Sequence, residues 1–298
     1  MNATSGILNA FCVDLEEWFH ICDAETPYTD ERTWRDAPAH VVDDTERLMR
    51  ILDDAGTRGT FLTVGWIAER YPDLVRRLVD AGHEIGCHSH RHRLVYEMSP
   101  EEFESDLRAA LAVLRDVSGQ PVDSYRAPGF SLTRECFEWA YPAMARNHIK
   151  VDVSVVPATR NHGGVPGASR DIGRVETPAG PVTTFPVSVM TIAGKTVPFS
   201  GGGYLRLFPK RLMARGFREN HRAGRPVMTY IHPRETNFGQ PRLKLSPVRY
   251  FKYYVNLRGC ESKLRWMLNN YRFDRVDEVL RSLDGSSPRD EPPASPRR

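Results

Sequence analysis

Short apolar runs alternate along the chain with longer segments in which apolar residues recur at helical spacing. The short runs with the character of strands lie at residues 7–15, 59–64, 83–87, 124–126, 151–156 and 227–231. The segments with helical spacing lie at residues 45–55, 67–81, 100–118, 134–147, 209–223 and 262–283. Strands that alternate with helices of this length predict a parallel sheet with crossover connections, and around seven or eight such units would close an α/β barrel. In such a barrel the catalytic groups gather at the C-terminal ends of the strands.

Turn-forming residues mark where several of these segments begin and end. Ser99 is suited to cap the helix at 100–118, and Gly119 is suited to end it. Residues 157–203 are rich in Gly and Pro, and they predict long loops and short hairpins over one face of the barrel. Beyond this point of the chain, residues 285–298 are mainly Ser, Pro and charged residues. We therefore predict one catalytic domain at 1–284 and a disordered tail at 285–298.

The composition excludes several classes of function. The 298 residues include 41 basic and 38 acidic side chains, a net charge of +3, and this near balance argues against nucleic-acid binding as the main role. No run approaches the roughly 20 apolar residues of a membrane helix, so we expect no transmembrane segment. Residues 1–11 lack the basic and apolar regions of a secretory signal. The 5 cysteines are odd in number and form no Cys-x-x-Cys pair, so we expect reduced thiols in a cytoplasmic protein.

The strongest local chemical signal is the sequence His-Ser-His-Arg-His at residues 88–92, directly after a predicted strand. His88 and His92 are four residues apart, a spacing that can bring two imidazoles to one metal ion. A solvated, histidine-rich loop is the alternative interpretation, which the position at the mouth of a barrel disfavours. His90 has no comparable role from spacing alone.

Two histidines need a third protein ligand and an open position for water to make a catalytic zinc site. The first predicted strand ends in three acids, Asp14, Glu16 and Glu17. Asp14 and Glu16 would face the same side of an extended strand, so one could bind the metal while the other acts as the base. A surface acidic turn is the alternative interpretation.

Two further segments carry groups suited to acyl transfer. Arg126, in the sequence Tyr-Arg-Ala-Pro-Gly-Phe at 125–130, would keep a neighbouring base carboxylate ionised. The turn after Pro128 could present a backbone N–H near Gly129 to an oxyanion. His232 ends a predicted strand, where it could act as the general acid for a leaving amine.

These pieces, in this order, resemble the polysaccharide deacetylase family, the NodB-type carbohydrate esterases. The segments that resemble the family's central signature are 59–65, 71–72 and 81–89. The segments similar to a branch found beside bacterial exopolysaccharide genes are Asp-Leu-Glu-Glu-Trp-Phe at 14–19, Arg-Ala-Pro-Gly-Phe-Ser at 126–131 and Gly-Gly-Gly-Tyr-Leu-Arg at 201–206. The resemblance runs from about residue 11 to residue 283, and it implies a distorted (β/α) barrel of about seven strands.

The resemblance also implies roles for individual residues in catalysis. Asp14 matches the catalytic base, Arg126 matches the arginine that orients it, and His232 matches the general acid. Asp152 matches an Asp of the family's fourth motif. The candidates for the apolar wall of an acetyl pocket are Phe130, Val155 and Leu205.

A divalent metal is part of what the resemblance implies. His88 and His92 match the two metal histidines, and Glu16 matches the metal carboxylate, where the wider family mostly has Asp. Glu17 stays an alternative carboxylate. Zinc is expected, although cobalt, nickel and iron also suit such a donor set.

The activity implied is hydrolysis of N-acetyl groups on N-acetylhexosamine units of a polysaccharide, glycolipid or glycoside, with release of acetate. One alternative is a cyclic amidase of the allantoinase type, a fold relative that often lacks the metal histidines. Another is a non-catalytic carbohydrate-binding barrel, which would be expected to have lost a ligand or the acid. The identity of the sugar and the oligomeric state stay open.

Overall fold

The computed structural model describes residues 6–22, 24–160 and 163–285 of the chain. The predicted disordered tail at 285–298 lies outside the described residues, apart from Gly285. The described ranges contain these strands: β1 Asn9–Leu15, β2 Thr60–Thr63, β3 Glu84–Cys87, β4 Ser124–Tyr125, β5 Val151–Asp152, β6 Gly173–Val175, β7 Val182–Thr184, β8 Val189–Ile192, β9 Lys195–Pro198, β10 Met228–Ile231 and β11 Phe273–Asp274.

Seven parallel strands form the centre of the fold, in the order β10-β1-β2-β3-β4-β5-β7. β6 extends this sheet beyond β7 as an antiparallel edge strand, and β11 pairs with the start of β1. β8 and β9 form a separate hairpin. The predicted α/β architecture, a distorted barrel of about seven strands, is confirmed as a curled half-barrel with helices outside it.

Alternation along β1 shows how the barrel separates its two faces. Phe11, Val13 and Leu15 belong to the core between sheet and helices. Ala10 and Cys12 belong to a second apolar cluster on the opposite face. Successive side chains of a strand point to opposite faces. Asp14 therefore shares the face of Ala10 and Cys12, and its side chain lies inside the barrel.

Helices cover the outside of the sheet: α1 Val41–Asp54, α2 Gly65–Arg70, α3 Pro72–Asp80, α4 Pro100–Ser118, α5 Arg134–Arg146, α6 Gly202–Leu207, α7 Lys210–Arg222, α8 Pro247–Tyr254, α9 Cys260–Asn270 and α10 Val276–Leu283. α4 begins with a capping box in which Ser99 and Glu102 satisfy each other's backbone N–H groups. It ends at Gly119, which has the left-handed φ of 63° that favours glycine.

Several boundaries differ from those predicted. The predicted helix at 67–81 is two helices, because Pro72 starts a new helix and the residue before a proline is disfavoured in helical conformation. The predicted strand at 151–156 pairs only over β5. The Gly- and Pro-rich segment 157–203 forms two hairpins, β6–β7 and β8–β9, and the first of them joins the main sheet.

Two serine hydroxyls connect the loop region to the open edge of the sheet at β10. The Oγ of Ser188 accepts a hydrogen bond from the backbone N–H of Met228 (2.8 Å), and the Oγ of Ser200 donates to its carbonyl oxygen (2.7 Å). These contacts bring the hairpin region against β10 without a strand ladder. None of the helices in the described ranges combines the length and apolar character needed to cross a bilayer.

Candidate active site

One cavity of about 460 Å³ opens at the C-terminal ends of the parallel strands. Its lining contains most of the residues that the sequence singled out: Asp14, Glu16, His88, His92, Gly129, Phe130 and His232. The register explains why they meet. Asp14 belongs to β1, His88 follows β3 and His232 follows β10, so each side chain emerges at the same edge of the sheet. This is the edge at which parallel barrels carry their chemistry.

Glu16, His88 and His92 form a buried cluster whose three ligand atoms all lie within 4.8 Å of one another. Glu16 Oε2 is 2.6 Å from His92 Nε2 and 4.0 Å from His88 Nε2. Among the described residues, His92 Nε2 has no hydrogen-bond partner of acceptable geometry despite this proximity. Two nitrogens and one carboxylate oxygen that converge in this way fit a divalent cation.

The surroundings of His88 suit a neutral metal ligand. Its Nδ1 donates to the backbone carbonyl of Arg126 at 2.8 Å, which leaves the lone pair of Nε2 directed toward Glu16. Burial lowers the pKa of His88 to about 4. The imidazole is therefore unprotonated at neutral pH, as metal binding requires.

Asp106 of α4 holds the loop that carries the two histidines. Its carboxylate accepts hydrogen bonds from the Ser89 hydroxyl (2.8 Å), the His90 N–H (2.8 Å) and the Arg91 N–H (3.1 Å). The first N–H groups of α2 donate to the carbonyls of residues 89 and 90, so the loop is fixed from both sides. Ser89 and His92 have positive φ values of 67° and 52°, a conformation that such support maintains.

Two cavity residues near His92 were not anticipated from the sequence. Cys22 Sγ lies 3.3 Å from His92 Nδ1, and the ring of His20 stacks on that of His92 at 5.3 Å between centroids. His20 is buried, and its Nε2 has no hydrogen-bond partner among the described residues. Neither residue belongs to a spaced motif, and so the sequence offered no signal for them.

Asp14 and Arg126 form a buried ion pair. Arg126 Nη1 donates to Asp14 Oδ1 at 2.5 Å, and Arg126 Nε donates to the carbonyl of Val153 at 3.1 Å. Burial works against the charge of Arg126, but the Asp14 carboxylate outweighs it and the pKa of the guanidinium is raised. The guanidinium therefore holds the Asp14 carboxylate in place at the cavity.

His232 faces both carboxylates. Its Nε2 is 3.8 Å from Asp14 Oδ2 and 3.5 Å from Glu16 Oε1, and its Nδ1 is 3.1 Å from Glu235 Oε2. Burial lowers the pKa of His232, but the charges of Glu16 and Glu235 outweigh that effect and the pKa is raised. An imidazole whose pKa is raised and which faces the cavity is suited to donate a proton to a leaving group.

A buried glutamate and arginine orient His232. Arg206 ends the motif at 201–206, but the sequence indicated no role for it or for Glu235. Arg206 Nε donates to Glu235 Oε1 at 2.6 Å, and both side chains are at most 2% exposed. Burial raises the pKa of Glu235, but Arg206, His232 and Arg234 together outweigh burial and hold this pKa well below its usual range. Spacing gives a signal in retrospect, because Glu235 lies three residues after His232 in one helical turn.

Glu17 and Asp152 lie away from the cavity lining. The Glu17 carboxylate accepts hydrogen bonds from the N–H groups of His40 and Val41 at the start of α1, so the structure brings Glu16 and not Glu17 to the histidines. Asp152 is fully buried and accepts a hydrogen bond from the Tyr141 hydroxyl of α5 at 3.0 Å. Its neighbour Val153 points into the inner cluster, so Asp152 points to the helix layer.

Some of the candidates for contacts with the oxyanion and the acetyl group line the cavity, and others do not. Gly129 and Phe130 line the cavity, whereas Val155 and Leu205 do not contribute to its lining. Phe130 has φ of 58°, which is unusual for a bulky residue, and its ring packs 5.2 Å from the guanidinium carbon of Arg126. The turn at Pro128–Phe130 therefore packs against Arg126 of the Asp14–Arg126 ion pair.

Comparison with known families gives two adjacent matches. A family model described as polysaccharide deacetylase matches residues 32–142. A second model, described as a domain of unknown function (DUF3473), matches residues 153–281. The first range includes His88, His92 and Arg126, and the second includes His232 and Glu235.

Curated relatives are similar over part of the chain. A peptidoglycan-N-acetylglucosamine deacetylase of Bacillus cereus is 24% identical over 96 residues, which cover 32% of this chain and 35% of the relative. A peptidoglycan deacetylase of Helicobacter pylori is 27% identical over 82 residues, which cover 28% of each protein. The matched part therefore spans about a third or less of the length of these relatives.

Solved structures share the fold. A protein of Mycobacterium smegmatis assigned as a polysaccharide deacetylase superposes with a TM-score of 0.60 at 17% identity, over 100% of this chain and 96% of that one. A pseudoenzyme of carbohydrate esterase family 4 from Bacillus anthracis superposes with a TM-score of 0.50 at 11% identity, over 93% of this chain and 66% of that one. At such identities the likeness extends to the architecture alone.

Proposed function

This chain belongs to the polysaccharide deacetylase family, and from that premise we propose that it is a metal-dependent hydrolase of N-acetylated amino sugars. The substrate proposed is an N-acetylhexosamine unit of a polysaccharide, glycolipid or glycoside, and the products are acetate and a free amine. Residues 1–284 would act as one catalytic domain. We retain a cytoplasmic location as a prediction.

One observation carries the proposal: the cluster of Glu16, His88 and His92 shares a single cavity with His232 and with Asp14, the partner of Arg126. Glu16, His88 and His92 would hold the metal, which we propose to be zinc, with cobalt, nickel or iron as alternatives. When bound, such a metal supplies a Lewis acid that polarises an acetyl carbonyl and lowers the pKa of water.

The residues of the chain would divide the proton transfers between them. Asp14, held in place by Arg126, takes a proton from the water that attacks the carbonyl carbon. A backbone N–H near Gly129 donates to the oxygen of the tetrahedral intermediate. His232, held by Glu235, gives its proton to the amine nitrogen as the C–N bond breaks.

The names of the curated relatives support an amino sugar as the substrate, since both are deacetylases of peptidoglycan. The cavity volume of about 460 Å³ is within the range of small-ligand sites. The exposed opening of such a cavity can also admit one unit of a longer chain.

Acetate release from a panel of N-acetylhexosamine oligosaccharides tests this function. We expect the purified protein to release acetate, EDTA to stop the release, and added zinc to restore it. Bound zinc with no acetate released from any N-acetylated sugar would instead favour a non-catalytic carbohydrate-binding barrel. Hydrolysis confined to cyclic amides would favour the allantoinase-type reaction.

A further inference from the structure

All the charged residues in a segment beside the cavity are basic. Residues 236–260 contain no Asp or Glu, although the whole chain is nearly balanced in charge. The same segment contains five basic residues, Arg242, Lys244, Arg249, Lys252 and Arg258. A local excess of positive charge of this kind attracts an anionic partner.

Large apolar side chains are exposed in the same place. Val248 and Phe251 of α8 are 66% and 55% exposed, and they lie three residues apart on one face of the helix. Leu207 at the end of α6 is 47% exposed. All three border the cavity that contains Asp14 and its partners, so the apolar patch is continuous with the mouth of the site.

Exposed basic side chains belong to the same segment as this patch. Lys244, Lys252 and Arg258 are exposed. The guanidinium of Arg258 lies 4.1 Å from the ring centroid of Phe238, which is itself 45% exposed. An exposed helix face with apolar residues, flanked by lysines and arginines, has the pattern of a surface that lies on a membrane.

We propose that α8 and the end of α6 dock on an anionic phospholipid bilayer, with Val248, Phe251 and Leu207 in the interface. This docking surface would turn the mouth of the cavity toward the bilayer. This proposal rests on the proposed deacetylase function. It specifies the substrate as an N-acetylated amino sugar that is attached to a lipid and presented at the membrane surface.

The chemistry of the patch favours lipid over an anionic polysaccharide. Sugar rings stack on flat aromatic faces, and Phe251 and Tyr250 of α8 could serve a sugar in that way, whereas Val248 and Leu207 are aliphatic and branched. Sugar hydroxyls are bound by carboxylates and amides. Residues 236–260 have no carboxylate, and the amide groups of Asn237, Gln240 and Asn256 donate hydrogen bonds within the protein. Aliphatic side chains beside lysines match acyl chains beside anionic headgroups.

Co-sedimentation with vesicles tests the docking surface directly. The full chain should bind vesicles of equal parts phosphatidylcholine and phosphatidylglycerol, and bind far less to phosphatidylcholine alone. Phe251→Ser should weaken binding about tenfold, because an apolar side chain no longer enters the interface. Lys244→Ala should weaken it about fivefold, the usual contribution of one basic residue near an anionic surface.

Matched controls lie elsewhere on the molecule. Leu283→Ser changes an apolar residue of similar exposure, 51%, on α10. This helix starts beside Thr60, at the N-terminal ends of the strands and therefore at the end of the barrel opposite to the cavity. Lys195→Ala changes an exposed lysine at the β8–β9 hairpin. Both should bind vesicles as the wild type does. Far-UV circular dichroism and thermal melts establish that each variant is folded.

Three outcomes would overturn the docking proposal: equal binding to both kinds of vesicle, no binding to either, or Phe251→Ser binding as tightly as the wild type. Retention on immobilised heparin that Lys244→Ala weakens and Phe251→Ser does not, with no vesicle binding, would assign the surface to an anionic polysaccharide. None of these readouts requires turnover, so a failure of docking is distinct from a failure of the deacetylase proposal.

Discussion

At the scale of single residues, the side chains that meet in the cavity share a position in the alternation of their strands. Asp14 follows Ala10 and Cys12 on the inner face of β1, and His232 follows Tyr230 on the inner face of β10. Asp152 stands on the outer face of β5, where it meets Tyr141. The sequence motifs identified all three residues. Whether each side chain reaches the site depends on the face of the strand on which it lies, and a shift of one residue along a strand reverses that face.

Asp152 provides a test at this scale. Burial raises its pKa to about 6, although hydrogen bonds from Ser154 and Tyr141 oppose the shift. A carboxyl whose folded-state pKa is raised stabilises the fold below its unfolded pKa, near 3.9, and loses that contribution as pH rises through about 6. Asp152→Asn removes this loss. The free energy of unfolding of the variant, relative to wild type, should rise by about 2 to 3 kcal/mol between pH 4 and pH 7.

Urea denaturation across this pH range measures the Asp152 effect. Asp43→Asn, which removes one exposed carboxylate from α1, is the control for net charge and should show no such trend. Since Asp152 does not line the cavity, acetate release by Asp152→Asn should resemble wild type. A pH-independent difference in stability, or a large loss of activity, would contradict this account of the residue.

Glu235 provides a second test. Glu235→Gln removes the anionic partner of Arg206 while both positions stay buried, so the free energy of unfolding should fall by about 3 kcal/mol. His232 also loses the charge that helps it to keep its proton, so acetate release should fall about tenfold or more.

The matched control is Glu176→Gln, which removes the partner of Arg174 in an exposed ion pair and should cost less than about 1 kcal/mol. Denaturant melts and initial rates, taken where the variant is fully folded, separate the two effects of Glu235→Gln. Unchanged stability together with unchanged rate would argue against the Arg206–Glu235–His232 arrangement.

At the scale of elements, long regular segments were predicted better than short ones. α4 was predicted at both ends, because Ser99 and Gly119 are local signals that tertiary contacts do not override. α8 and the hairpins β6–β7 and β8–β9 have eight residues or fewer per element, too few for a pattern of period two or 3.6 to be distinctive. Their positions depend on contacts with the rest of the barrel.

The loop at 88–92 is the element on which the metal cluster depends, and Asp106 of α4 fixes its shape. Asp106→Ala removes three hydrogen bonds to this loop while leaving all three ligands in place. Because residues that orient metal ligands typically contribute about 10- to 100-fold to affinity, zinc binding should weaken by that factor.

Competition with a chromogenic chelator measures the zinc affinity of the Asp106→Ala variant. Asp116→Ala, on a later turn of the same helix, is the control for helix propensity and should leave zinc affinity unchanged. Wild-type affinity in Asp106→Ala would mean that α2 alone suffices to hold the loop.

At the scale of the whole molecule, the site is assembled from both halves of the described chain. Asp14 and Glu16 come from β1 and the turn after it, whereas His232 comes from β10, which is paired with β1. The parallel order of the sheet could be predicted from the alternation of strands and helices. Which strands lie next to one another depends on packing that no local pattern specifies. The same is true of the Arg206–Glu235 pair and of the contacts of His20 and Cys22.

The most direct test of the account measures bound metal and acetate release together, in the wild type and in Asp14→Asn, after loading with zinc. Since Asp14 is proposed as the base and not as a ligand, both proteins should bind about one zinc per chain. Asp14→Asn should release acetate about a thousandfold more slowly than the wild type. A variant that turns over at the wild-type rate, or a wild-type protein that neither binds zinc nor releases acetate, would contradict the account.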